Sequence, residues 1–154
     1  IAGAMSAFAH PGEWSGAGLD GNSMPDTNVS YTITAGGNAV EELLFAGTSH
    51  EMRTLYVRDG DDVVLVHFCA SGNHPKMRAR DVGDGRVVFD FDGAINFDPA
   101  KAGHMHDASF TFQSPNELST RWQFWDGGKP SEHVANLHLK RVATEPMELV
   151  DPPR

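Results

Sequence analysis

The sequence predicts an all-β domain, a single up-and-down barrel of roughly ten antiparallel strands around a central cavity. Three observations predict it. Turn signals recur along the chain at Ala35-Gly36-Gly37, Ala46-Gly47-Thr48, Asp59-Gly60, Asp84-Gly85, Ser114-Pro115-Asn116 and Asp126-Gly127-Gly128. Between them lie short runs rich in Val, Phe, Tyr, Thr and Leu, which suit a pleated, half-buried surface. Several runs alternate apolar and polar residues, the period of two expected of a strand with one wet face. Helical signal is confined to a short turn near 98–102.

These signals place strands at 13–19, 28–35, 39–46, 49–58, 62–70, 76–82, 86–91, 104–113, 117–126 and 132–142. Alternation then assigns faces. In 104–113, His104, His106, Ala108, Phe110 and Phe112 share one side. In 117–126, Leu118, Trp122 and Phe124 oppose Glu117, Ser119, Arg121 and Gln123. In 76–82, Met77 and Ala79 oppose Lys76, Arg78 and Arg80. In 49–58, Glu51 and Arg53 mark the solvent side and send His50, Met52, Thr54 and Tyr56 inward. The last strand turns His133, Ala135, Leu137 and Leu139 inward. Strand 62–70 is apolar on both faces, and we orient it with His67 and Cys69 inside. A barrel removes exposed strand edges, which favours it over the rival sandwich.

At 154 residues with 40% hydrophobic content, the chain suits one domain with a sizeable core. We expect the barrel at 12–142, an N-terminal tail at 1–11 with an appended stretch before a start at Met5, and a Pro-containing tail at 143–154. No run approaches the length of a membrane-spanning helix. Twelve basic against 21 acidic residues give a formal charge of -9, which repels phosphate backbones, so nucleic acid is not an expected partner. The single cysteine, Cys69, excludes an intramolecular disulfide. It suits a cytoplasmic location; a secreted or periplasmic one is the alternative where the native N-terminus lies further upstream. A homodimer is compatible with the composition.

The unusual chemistry is histidine. Eight are present, and alternation directs His50, His67, His104, His106 and His133 toward one interior. Glu42 joins them, because Val40, Glu42 and Leu44 share a face. Imidazoles with a carboxylate suit a divalent zinc, iron or copper ion, and His50, His104, His106 and Glu42 form the candidate metal set. Without a metal, the same histidines hydrogen-bond Tyr56, Thr54, Glu42 or water in a partly wet cavity. Cys69 lacks the spacing of a nucleophilic triad. Asp59-Gly60-Asp61-Asp62 lacks the distal ligands of a calcium loop and reads as a charged turn.

The run Gly12-Glu13-Trp14-Ser15-Gly16-Ala17-Gly18 resembles the Gly-x-Trp-x-Gly first strand of calycin-type barrels, the group of lipocalins, fatty-acid-binding proteins and nitrobindins. The stretch 39–52, with 67–77 and Gly103-His104-Met105-His106, resembles an uncharacterised bacterial family of calycin-like barrels, over most of residues 12–141. That resemblance implies a ten-stranded barrel with a central cavity and no particular reaction. A looser similarity to nitrobindins around Glu132-His133-Val134 implies haem held through His133.

The expected function is therefore binding of a small, partly apolar molecule in a His-lined cavity. His50, Met52, Tyr56, His67, Met77, His104, His106, Phe110, Trp122 and His133 form the expected lining. No inward arginine is available to receive a carboxylate, which argues against a simple fatty-acid carrier. An alternative is an enzyme using the His cluster, metal-bound or as general acid and base, on a small organic substrate. Haem binding is the third reading.

Overall fold

The computed structural model describes residues 12–18 and 27–142, with backbone alone for 12–18, 27, 81 and 82. The expected tails lie outside the described residues. The strands are β1 (Gly12–Gly18), β2 (Thr27–Thr34), β3 (Ala39–Leu44), β4 (Met52–Asp59), β5 (Asp62–Phe68), β6 (His74–Gly83), β7 (Arg86–Ile95), β8 (His104–Ser114), β9 (Glu117–Asp126) and β10 (Lys129–Arg141). Each expected strand has its counterpart. The differences lie at the ends: β4 starts later, β6 and β10 start earlier, β3 ends earlier and β7 runs four residues further than expected. The turn expected near 98–102 forms through N–H donation from Lys101 and Ala102 to the Asp98 carbonyl.

From β2 to β10, every strand pairs antiparallel with the next in chain order, in one curled sheet. The backbone of β1 pairs with β2 on one side and β10 on the other. Short turns explain this order, because antiparallel neighbours need only a hairpin. Asp84 and Gly85, at φ +49° and +75°, both take the left-handed conformation that matches the twist of a two-residue hairpin. Among the described residues, no helix is long and apolar enough to cross a membrane.

The buried face carries the core. Tyr56, Leu65, Met77, Phe89 and Phe110 are fully enclosed. Phe110 meets Tyr56, Phe89 and Trp122 nearly edge-on, with ring centroids 6.0, 5.8 and 5.8 Å apart, an arrangement aromatic quadrupoles favour. The opposite face is laced by ion pairs between neighbouring strands. Arg78 on β6 reaches Asp59 and Asp62 at 2.7 and 2.9 Å and Asp92 on β7 at 3.3 Å. Arg80 pairs with Asp90. The expected division in β6, Met77 and Ala79 against Lys76, Arg78 and Arg80, is the observed one.

The register shifts at several places, twice between β6 and β7, twice between β8 and β9 and once between β9 and β10, and two of these bear on the site. On β8 the register with β9 shifts between Met105 and Asp107, leaving His106 as an additional residue, and Met105 packs against the core. On β10 the register with β9 shifts between Pro130 and Val134. Proline cannot donate to the ladder there. Gln123 compensates, its Nε2 donating to the carbonyls of Ser131 and Phe124 at 2.8 and 3.0 Å. This interaction draws Gln123, expected on the wet face, to 9% exposure.

Candidate functional site

Four buried polar side chains lie in one row across four strands. Tyr31 on β2 is the register partner of Glu42 on β3, Glu42 of Thr54 on β4, and Thr54 of His67 on β5. All four are nearly or fully inaccessible. Directly opposed residues on one face sit close enough for side chains to meet, and these do. The Tyr31 and Tyr56 hydroxyls donate to the same carboxyl oxygen, Glu42 Oε2, at 2.6 and 3.0 Å. Thr54 Oγ1 and His67 Nδ1 are hydrogen-bonded at 2.9 Å. The His67 ring lies 5.0 Å, centroid to centroid, from Trp122 on β9.

Burial dominates the electrostatics of this row. It raises the Glu42 carboxyl above the usual carboxylate range, against the lowering influence of the Tyr31, Thr54 and Tyr56 hydroxyls. Thr54 acts on Glu42 without a close bond to its second oxygen, since Oε1 has no hydrogen-bond partner. Burial, reinforced by His74, lowers His67 to about 4. Both effects have one cause, the cost of holding charge away from water. His67 Nε2 and Thr120 Oγ1 are also buried without partners. Thr54 is the third residue of β4, and His67 is the sixth of seven in β5. The row therefore lies toward the end of the sheet that carries the longer connections 45–51, 69–73 and 96–103.

A second cluster forms at that same end. The His104 Nδ1–H donates to the Ala102 carbonyl at 2.8 Å, and His104 Nε2 lies 2.9 Å from His106 Nδ1. The carbonyl can only accept, so in the neutral pair His104 Nε2 accepts from the His106 Nδ1–H. The His106 ring is stacked between Phe91 and Trp125, at 4.6 and 3.7 Å. Desolvation, followed by His104, lowers His106 to about 4. Asn73 Nδ2 donates to the Gly103 carbonyl at 2.8 Å, tying the β5–β6 turn to the start of β8.

The expected lining is thus partly assembled. Tyr56, His67, Met77, Phe110 and Trp122 are buried together, and Met52 packs at the edge of that core. His104 is buried and His106 half-buried, joined to each other in the end cluster. Two placements are corrected. His50 is exposed, because 45–51 is a loop whose backbone is held locally: Thr48 Oγ1 accepts from the His50 N–H, and Glu51 N–H donates to the Thr48 carbonyl. Such side-chain bonds compete with strand pairing. His133 is exposed because the β10 bulge breaks its alternation with Ala135; its ring meets Phe124 edge-on.

The candidate metal set does not converge. Among the described residues, no group of three or more His, Cys, Asp or Glu is placed to hold a metal ion. His50 faces solvent, His104 and His106 spend ring nitrogens on each other, and Glu42 belongs to the tyrosine row. Cys69 is half-buried with its Sγ 3.9 Å from Met52 Sδ. Sequence reasoning passed over Tyr31 and Thr120. Their signals were present: Tyr31 alternates with Val29, and Thr120 lies midway between Leu118 and Trp122 on the inward side of β9.

No protein-family model matches the chain, and no curated protein matches it.

Proposed function

We propose that this chain is a small-molecule-binding β-barrel of calycin-like form. In this reading β1 closes a ten-stranded barrel, and a small, partly apolar ligand occupies its interior against the polar row. One observation carries the reading: Glu42 Oε1, His67 Nε2 and Thr120 Oγ1 are buried on β3, β5 and β9 without partners. Each such atom costs about 1–3 kcal/mol when left unmade, and a ligand that pairs with them removes that cost. Closure is supported by the backbone pairing of β1 with both β2 and β10. Apolar contact would come from Met77, Phe110 and Trp122.

A second reading, acid–base catalysis on a small organic substrate in the same interior, draws on one observation. Burial perturbs both Glu42 and His67, in the direction of their neutral forms, and perturbed titratable groups gathered in one interior are a feature of catalytic sites. In that case Glu42→Gln abolishes turnover and leaves affinity in place.

The binding reading is tested by titration with the neutral fluorophore N-phenyl-1-naphthylamine. One saturable site per chain is expected, with energy transfer from tryptophan that falls in Trp122→Phe. Binding that never saturates, or energy transfer indifferent to Trp122→Phe, overturns it.

A further inference from the structure

On the outer face of the sheet, opposite the buried Leu118 and Leu139, four polar side chains join β8, β9 and β10. We propose that His138 and Gln113 form a proton-operated switch coupled through Ser119. With the ring doubly protonated the Gln113 amide fastens the β8–β9 hairpin, and loss of the ring's Nδ1 proton turns that amide over.

The hydrogen bonds fix the directions from both ends. His138 on β10 is the register partner of Ser119 on β9, and Nδ1 lies 3.0 Å from Oγ. The other ring nitrogen, Nε2, lies 3.0 Å from Glu117 Oε1. An ionised carboxylate only accepts, so Nε2 carries a proton in either state of the ring. At the far end, the register of β8 with β9 shifts between Phe112 and Ser114, leaving Gln113 as an additional residue. A bulge re-aims the side chain it carries, and here the amide reaches Ser119 Oγ at 2.8 Å.

That amide has two settings. In one, Nε2 donates to the Thr111 and Glu117 carbonyls at 3.0 and 3.2 Å, and Oε1 accepts the Ser119 hydroxyl proton. Ser119 Oγ is then an acceptor toward His138, so Nδ1 also carries a proton and the ring is an imidazolium. In the other, Nε2 donates to Ser119 Oγ, which leaves the hydroxyl proton for Nδ1 and suits a neutral ring. This second setting gives up both donations and turns the amide oxygen toward two carbonyl oxygens. A neutral ring is incompatible with the first setting, because one hydroxyl proton cannot serve two acceptors. Ring proton and amide orientation therefore change together.

Histidine changes charge around neutrality, and the surroundings single it out here. Its diagonal neighbours on β9 are Glu117 and Arg121, and Arg121 is turned to Asp107 and Gln123 at 3.9 and 2.9 Å. Along β10, Lys140 stands opposite Glu117. The β1 register partner is Ala17, and β8 presents Gln113 and Thr111, neither of which titrates. Glu117 is thus the charge held against the ring, and both groups are half-buried, within reach of solvent protons.

NMR of the 15N-labelled full chain, followed through the titration of His138, tests the coupling. At the acid end both His138 ring nitrogens should be protonated and the Gln113 side-chain amide protons shielded from solvent exchange. As the ring loses its proton, that protection, taken relative to the intrinsic exchange rate, should fall about tenfold, the equivalent of one hydrogen bond. Ser119→Ala cuts the relay, so His138 should still titrate while Gln113 no longer follows. Should Ser119→Ala fail to fold, the native titration decides. Constant Gln113 protection while His138 loses its proton overturns the switch, and Gln113 following His138 in Ser119→Ala overturns the part given to Ser119.

Discussion

His104 and His106 are joined ring to ring by a 2.9 Å hydrogen bond although one residue separates them on the same strand. The β8 bulge makes this pairing possible, since it inserts His106 as an additional residue opposite β9. Anchored by the Ala102 carbonyl, the two rings form a short chain of directed hydrogen bonds that ends between Phe91 and Trp125.

This pairing predicts the titration of His106. Burial lowers its pKa most, and His104 lowers it further, to about 4. In His104→Ala the neighbouring ring is gone and water approaches, so the midpoint should rise toward the ordinary value near 6.5. An NMR pH titration of the His106 ring protons measures this directly. A midpoint that stays near 4 would assign the shift to the Phe91–Trp125 sandwich alone.

His67 predicts acid lability. Its folded pKa of about 4 lies below its ordinary 6.5, so the unfolded chain takes up the proton first. Its stabilising contribution is complete above pH 6.5 and is lost as pH falls through about 4. The loss between pH 7 and pH 4 should be on the order of 2–3 kcal/mol. Glu42 acts in the opposite direction: its raised pKa gives a contribution present in acid and lost as pH rises through the folded value. Urea unfolding across this range should show the acid loss in the native chain and a smaller one in His67→Leu. An unchanged slope in that variant would remove His67 from the account.

Phe110 predicts the cost of opening the core. It is fully buried and meets three aromatic rings edge-on. Phe110→Ala should lose about 3–5 kcal/mol, because the enclosing strands can collapse only partly onto the gap. Chemical denaturation is the measurement. A loss under about 1 kcal/mol would mean that the strands close fully over the gap.

Two of the hairpin glycines, Gly60 and Gly85, predict an order of severity. Both have positive φ, at +61° and +75°, so alanine is strained at either. At Gly60 an added Cβ meets open space, whereas at Gly85 it would lie 2.8 Å from the Phe112 carbonyl oxygen. That oxygen belongs to backbone held in register, since the Phe112 N–H donates to the Gly85 carbonyl at 2.7 Å. Thermal unfolding should therefore place Gly85→Ala clearly below Gly60→Ala, with Gly60→Ala down by about 1 kcal/mol. Equal losses would leave only the φ strain in play.

Much of the architecture was legible along the chain. Glycine-containing turns marked the hairpins, and alternation assigned Met77, Leu118, Trp122 and Leu139 to the buried face where they are found. The same rule placed Glu42 and Thr54 of the polar row inward, with Tyr56 beside them, while His67 lies on a strand apolar on both faces, whose orientation alternation leaves open. The rule works wherever the pleat is unbroken, because side chains then alternate without exception.

It fails where the backbone departs from the pleat. His50 left the interior because Thr48 offers its hydroxyl to the local backbone. His133 left it because the β10 register slips beside Pro130, and Gln123 went in because that slip frees carbonyls for its amide. The all-β class, the antiparallel chain-order pairing of β2 to β10 and the facing of most residues were thus determined by the sequence, through local turn chemistry and a period of two. The positions of the bulges, and with them which histidines meet, were decided by the tertiary structure alone. A bulge arises from how two strands pair and not from the alternation of either strand alone, and a one-residue slip reverses every face beyond it.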